Sequence, residues 1–309
     1  MSRTVLVTGA RGFIGAATVR KLAGTPDTRV VAVVRSRPSG AADQNIQWIE
    51  SSLEELRPSH WQPFESTTFD AVLHLAAFTP KIAAERDQAH EIISANIVGM
   101  QTLLASLPRP PRRLVFCSTL DVYARSAFAQ AVNERSPVAP VGLYGLSKLF
   151  GEGLAESYAR SAGTEHVTLR IGHIYGPGEE RYAKLVPETI RRVLAGKPPR
   201  IAGDGSDRRD LLYVDDAAEA LARSCVATLG DVRTINIARG ESHSILDVVN
   251  TIAELVGHRG PAERLPRSAD AYSTVFDTSL MTQVLGAWTF VPLAEGLRQE
   301  IAQVVGVRS

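Results

Sequence analysis

Cysteine is nearly absent from this sequence, with two residues among 309. Cys117 and Cys225 lie far apart and form no CxxC pair, which argues against a zinc site or a disulfide framework and fits a reducing compartment. Long apolar runs are missing too, since no stretch approaches the roughly 18 consecutive apolar residues of a membrane-spanning helix. We therefore predict neither a bound metal nor a membrane partner.

An excess of positive or negative charge is missing as well. The 34 basic and 33 acidic side chains leave a formal net charge of +1, which excludes a protein that binds nucleic acid through a bulk positive field. Only 5 of the basic residues are lysine and 29 are arginine, so a lysine within a motif is more informative than a lone arginine. The N-terminus reaches a glycine-rich turn too soon for a signal peptide, and we expect a cytoplasmic protein.

The apolar residues that are present follow two patterns. Runs without polar alternation predict buried strands at residues 4–7, 29–34, 69–75, 113–116 and 167–171, with two more strands at 211–214 and 234–237. Three- and four-residue spacing predicts helices at residues 14–22, 92–107, 144–160, 245–256 and 293–304. Strands and helices thus alternate through the first half of the chain.

This alternation predicts an α/β fold built on a Rossmann-type, doubly wound parallel sheet. With 44% apolar residues the chain can bury a core, and its length corresponds to one large domain or two smaller ones. We predict that residues 1–172 form the dinucleotide-type domain, with residues 211–238 returning to it. Residues 173–309 are expected to form mainly a smaller, mixed C-terminal domain.

The first strand runs into a glycine-rich turn, Thr8-Gly9-Ala10-Arg11-Gly12-Phe13-Ile14-Gly15. Gly9 permits the tight turn, Gly12 lets a pyrophosphate approach the backbone, and Gly15 lets the following helix pack close to the sheet. A plain strand–helix turn is the alternative. The position between a predicted strand and a predicted helix favours dinucleotide binding.

The end of the second strand carries Arg35 and Arg37 where an acid would read the ribose 2′-hydroxyl of NAD. Guanidinium groups suit a 2′-phosphate, because their planar fork pairs with phosphate oxygens. We therefore favour NADP(H) as the cofactor and keep NAD(H) as the alternative. A solvated loop in an arginine-rich protein would give the same residues.

Tyr144 and Lys148 stand four residues apart on a predicted helix, so their side chains share one face. A phenol with a pKa of about 10 needs a nearby ammonium group to lower that pKa for proton transfer at neutral pH, and Lys148 is expected to do so. Ser118 and Thr119 end the preceding strand, where a hydroxyl would hydrogen-bond the reacting carbonyl or alcohol. The alternative is an exposed helical pair without a catalytic role.

Taken together, these motifs resemble the extended short-chain dehydrogenase/reductase family, in particular its NAD(P)-dependent sugar-nucleotide epimerase/dehydratase branch. Further motifs that match this branch cover nearly the whole chain: His74-Leu75-Ala76-Ala77, Asn96-Ile97-Val98-Gly99, Ile174-Tyr175-Gly176-Pro177-Gly178, Arg209-Asp210-Leu211 and Asn236-Ile237-Ala238. The resemblance implies a nucleotide-diphosphate sugar as the substrate.

The resemblance also implies roles for single residues. Thr119 takes the catalytic Ser/Thr position beside Ser118, Tyr144 is the acid/base, and Lys148 lowers its pKa and binds the ribose. The implied cofactor contacts are Gly9, Arg11, Gly12, Phe13, Ile14, Gly15, Arg35, Arg37, Leu75, Ala76, Ala77, Asn96, Tyr144, Lys148 and His173. The implied substrate contacts are Thr119, Tyr144, Leu185, Arg209, Arg267 and Asp270.

Some of these substrate contacts have a structural alternative. Arg209 matches the arginine that contacts the nucleotide diphosphate, and Arg267 with Asp270 is a looser match. Either arginine could instead form a structural salt bridge. Substrate specificity is expected in the loops at residues 179–187, from which we read neither the nucleotide nor the sugar.

The sequence departs from the family pattern in four places. The acid at the end of the second strand is missing, Ser52 replaces an aspartate near the adenine, and His173 replaces an asparagine before the Tyr-Gly-Pro turn. Hexose-type 4,6-dehydratases tend to carry Asp-Glu where this chain has Leu120-Asp121. Elimination of water needs an acid and a base besides the redox pair, so this departure argues against a dehydratase, although a related dehydratase subgroup manages with one acid there.

The favoured function is therefore an NDP-4-keto-6-deoxyhexose 4-ketoreductase. The main alternative is an NDP-hexose 4-epimerase with tightly bound NAD(P). A 4,6-dehydratase and a non-catalytic NADP-sensing regulator are less favoured alternatives. The family also implies a homodimer formed by the helices that carry Asn96 and Tyr144. The apolar residues that could cover such an interface, or face the sheet instead, are Ile97, Leu103, Leu104, Leu149 and Leu154.

Overall fold

The computed structural model describes residues 2–38, 45–80, 85–267 and 271–308. The strands are β1 (Arg3–Thr8), β2 (Thr28–Val34), β3 (Ile46–Glu50), β4 (Ala71–His74), β5 (Arg113–Thr119), β6 (Glu165–Ile171), β7 (His173–Tyr175), β8 (Arg200–Ala202), β9 (Arg208–Tyr213), β10 (Thr234–Ile237), β11 (Ser242–Ser244) and β12 (Glu263–Leu265). The α-helices are α1 (Phe13–Ala23), α2 (Ala89–Ile93), α3 (Gly99–Ser106), α4 (Leu143–Ala162), α5 (Leu185–Leu194), α6 (Val214–Ser224), α7 (Ile245–Val256), α8 (Ser279–Leu285) and α9 (Leu293–Arg308).

The central sheet has seven strands in the order β10-β6-β5-β4-β1-β2-β3, and each neighbouring pair is parallel. Its strands are apolar without alternation because both faces are covered. In β1, for example, Val5 and Val7 join the core that includes α1 and α6, whereas Leu6 joins the core that includes α3. The predicted α/β fold with a Rossmann-type parallel sheet is confirmed.

The order of the strands reverses between β1 and β4. β2 and β3 lie on one side of β1, and β4, β5, β6 and β10 lie on the other. In doubly wound sheets, ligands bind at the carboxyl ends of the strands beside such a switch point. The fold therefore places the glycine-rich turn and the end of β5 at one edge of the sheet.

Two small sheets accompany the large one, formed by β11-β9-β7 and by β12-β8. The strand predicted at residues 211–214 lies mostly in β9, which belongs to a small sheet. Of residues 211–238, which were predicted to return to the first domain, β10 is the strand that joins the central sheet. α6 contacts α1, where Lys21 forms a 2.5 Å ion pair with Glu219, and β10 pairs with β6. The division into two domains at residue 172 stays a prediction.

The helix predicted at 92–107 is less regular than its sequence indicates. It begins as α2, passes through a π-helical turn at Ser94–Val98 and continues as α3. The predicted helix at 245–256 matches α7. Within the described ranges, no helix has both the length and the apolar content to cross a membrane.

Candidate active site

The turn between β1 and α1 is built for close approach of backbone groups. Gly9 has a φ of +70°, and a Cβ there would lie 2.7 Å from the Ala76 backbone nitrogen. A Cβ on Gly15 would lie 2.1 Å from the Gly9 carbonyl oxygen. Only glycine fits both positions without displacing backbone.

The start of α1 is suited to an anion. Its N-cap, Gly12, offers no side-chain cap, and the first turn holds no acidic residue. The first backbone N–H groups of a helix have no partner within the helix, and the helix dipole adds partial positive charge there. Together with the glycine cradle, this end fits the pyrophosphate of a dinucleotide.

A cavity of about 600 Å³ opens above this turn. The predicted site residues that line it are Gly9, Gly12, Phe13, Ile14, Gly15, Leu75, Ala77, Ser118, Thr119, Tyr144, Lys148, His173, Leu185 and Arg209. The structure thus gathers the predicted phosphate turn, the Tyr–Lys pair and one of the two predicted substrate arginines around one space.

The residues at the end of β2 lie beside the turn rather than in the cavity. Arg11 is exposed, and its Nη1 donates to the backbone oxygen and the hydroxyl of Ser36, at 2.9 and 2.7 Å. Arg35 and Arg37 flank Ser36 and are exposed as well. One acid is nearby, since Glu50 accepts a 3.2 Å hydrogen bond from the Arg37 backbone.

Tyr144 lies in the first turn of α4, within reach of the end of β5. Burial and, to a smaller extent, Asp121 raise the pKa of its phenol to about 12, against the opposing effect of the Thr79 and Thr119 hydroxyls. The phenol is therefore protonated at neutral pH. In this state it can donate a proton to an oxygen that becomes negatively charged.

Lys148 lies one turn further along α4 and is buried. Its Nζ is 4.5 Å from the centre of the Phe116 ring, and burial lowers the pKa of its ammonium group to about 8. The causes that shift the pKa of Tyr144 are burial, Asp121, Thr79, Thr119 and Tyr182. The role predicted for Lys148, to lower this pKa, therefore stays a prediction.

Ser118 and Thr119 differ in their partners although they are neighbours. The Ser118 hydroxyl donates to Glu152 at 2.5 Å, and Glu152 also accepts hydrogen bonds from Arg170 at 2.8 and 3.1 Å. Thr119 instead hydrogen-bonds with Tyr144. The hydroxyl that lies with the phenol is therefore that of Thr119.

Asn96, a predicted cofactor contact, binds protein groups at the π-helical turn. Its side chain accepts from the Phe78 nitrogen at 2.6 Å and donates to the Phe78 oxygen and the Ser147 hydroxyl at 3.1 and 2.9 Å. Asn96 does not line the cavity, and neither does Ala76. Its hydrogen bonds hold the loop after β4 against α4, so Asn96 shapes the cavity indirectly.

Further ionisable groups line the cavity, among them His173 and Glu179. Burial, together with Arg209 and Lys184, lowers the pKa of His173 to about 3, so its imidazole is neutral. Burial raises the pKa of Glu179 to about 7, and Lys184, 3.1 Å away, opposes this rise. Glu300 lies nearby and is fully buried, and burial raises the pKa of its carboxyl to about 9.

The two predicted substrate arginines have different surroundings. Arg209 lines the cavity and donates to the Tyr272 backbone oxygen at 2.5 Å. Arg267 does not line it and pairs with Asp207 through two hydrogen bonds of 2.6 and 3.1 Å, so the structural alternative applies to this residue. Asp270 lies outside the described residues.

Sequence reasoning did not identify several residues of the site. Thr79 contacts the phenol from the loop after β4, and Glu152 fixes Ser118 from α4. The signal for Glu152 was its position four residues after Lys148, which places both on one face of the helix. Thr79 has no such signal, because its neighbour in the fold is 65 residues away in the chain.

Comparisons with known proteins agree with this geometry. The family model described as "NAD dependent epimerase/dehydratase family" matches residues 5–238. An uncharacterised UDP-glucose epimerase of Bacillus subtilis is 29% identical over 96% of each chain. A dTDP-4-dehydro-6-deoxy-D-allose reductase of a Streptomyces species is 28% identical over 96% of this chain and 94% of its own.

A solved structure gives the same result for the fold. UDP-glucuronic acid 4-epimerase from Bacillus cereus, in complex with UDP-glucuronic acid and NAD, superposes with a TM-score of 0.86. It is 25% identical and covers 98% of this chain and 99% of its own.

Proposed function

Because the chain belongs to the NAD dependent epimerase/dehydratase family, we propose that it is an NADP(H)-dependent reductase of a sugar nucleotide. The substrate is an NDP-4-keto-6-deoxyhexose, and the carbonyl at C4 becomes an alcohol. The observation that carries this proposal is the protonated phenol of Tyr144 beside Thr119 at the floor of a cavity with an anion-binding turn.

The proposed chemistry uses few residues of the chain. The reduced nicotinamide, when bound, supplies a hydride to C4. Tyr144 donates its proton to the C4 oxygen, and the Thr119 hydroxyl hydrogen-bonds the same oxygen. Lys148 binds the nicotinamide ribose, and its ammonium group adds positive charge behind the phenol. Ser118, whose hydroxyl donates to Glu152, is proposed to support Thr119 rather than to bind the C4 oxygen itself.

Arg209 is the proposed diphosphate contact. It lines the cavity, and its backbone partner at Tyr272 fixes the guanidinium. A planar guanidinium can hold a diphosphate through paired hydrogen bonds. Leu185, at the start of α5, would pack against the nucleotide, and His173 would hydrogen-bond near the nicotinamide as a neutral group.

The preference for NADP(H) is supported by Arg35 and Arg37 at the end of β2 and by Arg11, which contacts Ser36 from the turn after β1. A charge-assisted hydrogen bond contributes about 1.5–3 kcal/mol, so removing the pair Arg35 and Arg37 should weaken NADPH binding at least about tenfold. Fluorescence titration of R35A/R37A with NADPH and NADH measures this. Arg29 is exposed at the other end of β2, so Arg29→Ala is the matched control.

The wild-type protein should bind NADPH more tightly than NADH. Tighter binding of NADH would contradict the proposed cofactor and leave the proposed chemistry at C4 in place.

A 4-epimerase is the second candidate, and it is favoured by the superposition with an epimerase that binds NAD. An epimerase keeps its cofactor and returns the hydride to the opposite face of the sugar. The nucleotide content and the cofactor requirement of the purified protein distinguish the two functions. Stoichiometric bound nucleotide and turnover without added cofactor would favour the epimerase, whereas consumption of NADPH by a 4-keto sugar nucleotide supports the reductase.

The nucleotide and the sugar can be found by a direct screen. UDP-, GDP-, CDP- and dTDP-4-keto-6-deoxyhexoses are incubated with NADPH, and the loss of absorbance at the NADPH band is followed. We expect one nucleotide class to be reduced much faster than the others.

We also propose a homodimer. Ile93 and Val98 beside α3, and Leu146 and Phe150 on α4, are exposed, between 43% and 56%. Leu103 and Leu104 are buried in the sheet-facing core, and Leu149 and Leu154 pack against buried clusters. Ile97, which was also predicted, is half-buried. The apolar surface that could pair with a second copy therefore consists mainly of residues other than those predicted.

A further inference from the structure

A second cavity, of about 710 Å³, adjoins the first. Asp121 and Tyr144 line both cavities, and the second one is bounded mainly by charged and aromatic side chains such as Glu85, Arg125 and Tyr272. The proposed contacts of the sugar nucleotide do not use this space. Asp121 is exposed, although it lies only two residues after Thr119, the buried end of β5.

A row of polar groups leads from the phenol to this second cavity. Tyr144 and Thr119 line the first cavity together, and the Thr119 hydroxyl lowers the pKa of the phenol. The Thr119 hydroxyl donates to Asp121 Oδ2 at 3.2 Å, and the Asp121 backbone nitrogen donates back to the Thr119 hydroxyl at 3.3 Å. Each oxygen in the chain can carry a proton, so a proton can pass from the carboxyl to the phenol.

We propose that Thr119 and Asp121 form a proton relay, which returns a proton to Tyr144 from water in the second cavity after each reduction. The inference rests on the proposed ketoreduction. When C4 gains a hydride and the C4 oxygen takes the Tyr144 proton, the phenolate takes the Thr119 hydroxyl proton. Thr119 takes the Asp121 carboxyl proton at the same time, and the carboxylate takes one proton from solvent.

A relay of this kind is needed for reduction but not for epimerisation. A reductase consumes one proton in each turnover, whereas an epimerase takes back the proton that it gave. The other direction from the phenol leads along α4 to Lys148, which is 3% exposed and lies against the Phe116 ring. Asp121 offers the shorter contact with solvent.

The charges around Asp121 suit a group that changes protonation. Although the residue is exposed overall, the protein around its carboxyl displaces water, which raises its pKa, and Glu85, which also lines the second cavity, acts in the same direction. The Thr119 hydrogen bond lowers the pKa, as do Arg125 on the following turn and Lys184 on the loop before α5. Tyr144 faces the carboxyl from the start of α4, and Asp121 in turn raises its pKa.

The test uses Asp121→Asn, which keeps the shape of the side chain but cannot pass a proton. The kcat of reduction should fall at least about tenfold, less than the 10²–10⁴-fold expected when a direct acid is removed. Wild-type kcat should fall as rising pH removes the proton from the Asp121 carboxyl. In the variant, kcat should no longer show this decrease with pH. Small acids such as imidazolium, added to the assay, should partly restore its kcat through the second cavity.

Asp204→Asn is the matched control, since Asp204 is exposed and hydrogen-bonds only Ser206 among the described contacts. NADPH binding, followed by fluorescence titration, should be unchanged in both variants. A proton inventory, in which wild-type kcat is measured in H₂O/D₂O mixtures, tests the relay without any variant. The dependence of kcat on the fraction of D₂O should require more than one transferred proton.

The outcomes separate the relay from the proposed function. If the wild type reduces a 4-keto sugar nucleotide and Asp121→Asn keeps its kcat, pH profile and isotope effect, the relay is refuted and the reductase stands. A wild type that only epimerises, without consuming NADPH, overturns both. A wild type that eliminates water from an NDP-hexose, with this activity lost in Asp121→Asn, would place Asp121 directly on the substrate and overturn the relay.

Discussion

Tyr144 is a proton donor at rest rather than a base. Its phenol has a pKa raised to about 12, because it is buried near Asp121. A group of this kind keeps its proton at neutral pH until an alkoxide forms beside it, and a C4 oxygen that receives a hydride becomes such an alkoxide. A protonated phenol of this kind can therefore supply the proton that the proposed reduction needs.

Tyr144→Phe removes the proton and keeps the ring. We expect kcat/KM for reduction to fall by roughly 10²–10⁴, the usual effect of losing a general acid. NADPH binding, measured by fluorescence titration, should stay close to that of the wild type. Full activity in the variant would refute the catalytic assignment and favour a non-catalytic NADP-sensing regulator.

Glu300 makes the stability of the fold sensitive to pH. Its carboxyl has a pKa of about 9 in the folded chain, against an ordinary value of 4.5. Between these two values the unfolded chain has lost this proton and the folded chain keeps it, so stability falls as pH rises. Glu300→Gln removes the ionisation and should weaken this fall.

Melting temperatures at pH 5 and pH 8 check this prediction. The wild type should lose more of its Tm between the two values than the Gln variant does, at roughly 2–4 °C per kcal/mol of stability. Glu254→Gln, on the exposed face of α7, is the control. Equal pH slopes in the wild type and the Glu300 variant would show that this carboxyl does not ionise on unfolding.

At the scale of elements, the local pattern predicted the strands and the turn because their causes are local. β1 and β2 are recognised by apolar runs, and the phosphate turn by the spacing of its glycines. The π-helical turn at Asn96 has no local signal, because its partners Phe78 and Ser147 lie 18 and 51 residues away. The same holds for Ser118, whose partner Glu152 is 34 residues away.

α4 packs against β5 so closely that a methyl group would not fit between them. A Cβ on Gly151 would lie 2.5 Å from the Phe116 ring. Alanine favours a helix by about 1 kcal/mol over glycine, but overpacking costs about 1–3 kcal/mol. Gly151→Ala should therefore lower the free energy of unfolding, and moving Phe116 should also disturb Lys148.

Urea denaturation measures this change. Ser161→Ala, an exposed substitution in the last turn of the same helix, is the control and should change stability by less than about 0.5 kcal/mol. A Gly151→Ala protein more stable than the wild type would show that the helix and the sheet can move apart at low cost.

At the scale of the whole molecule, the exposed apolar residues on α4 and beside α3 form the proposed dimer surface. Phe150 is 56% exposed. Phe150→Glu places a charge on this surface, and burying an unpaired charge is unfavourable. Light scattering after size exclusion should therefore give the mass of one chain, 33.3 kDa, for the variant and twice that mass for the wild type.

Val226→Glu is the control for this experiment, since Val226 is 50% exposed and follows α6, away from the proposed surface. It should leave the wild-type mass unchanged. A wild type with the mass of one chain at micromolar concentration would contradict the dimer.

The late position of β10 in the chain affects how the protein is made. β6 ends at Ile171, yet its outer neighbour in the sheet begins only at Thr234. A ribosome adds about 5–20 residues per second, so the growing chain presents β6 as an unpaired edge for several seconds. An unpaired edge can pair with a strand of another chain. The interval between β6 and β10 is therefore a stage of synthesis at which β6 is open to pairing with another chain.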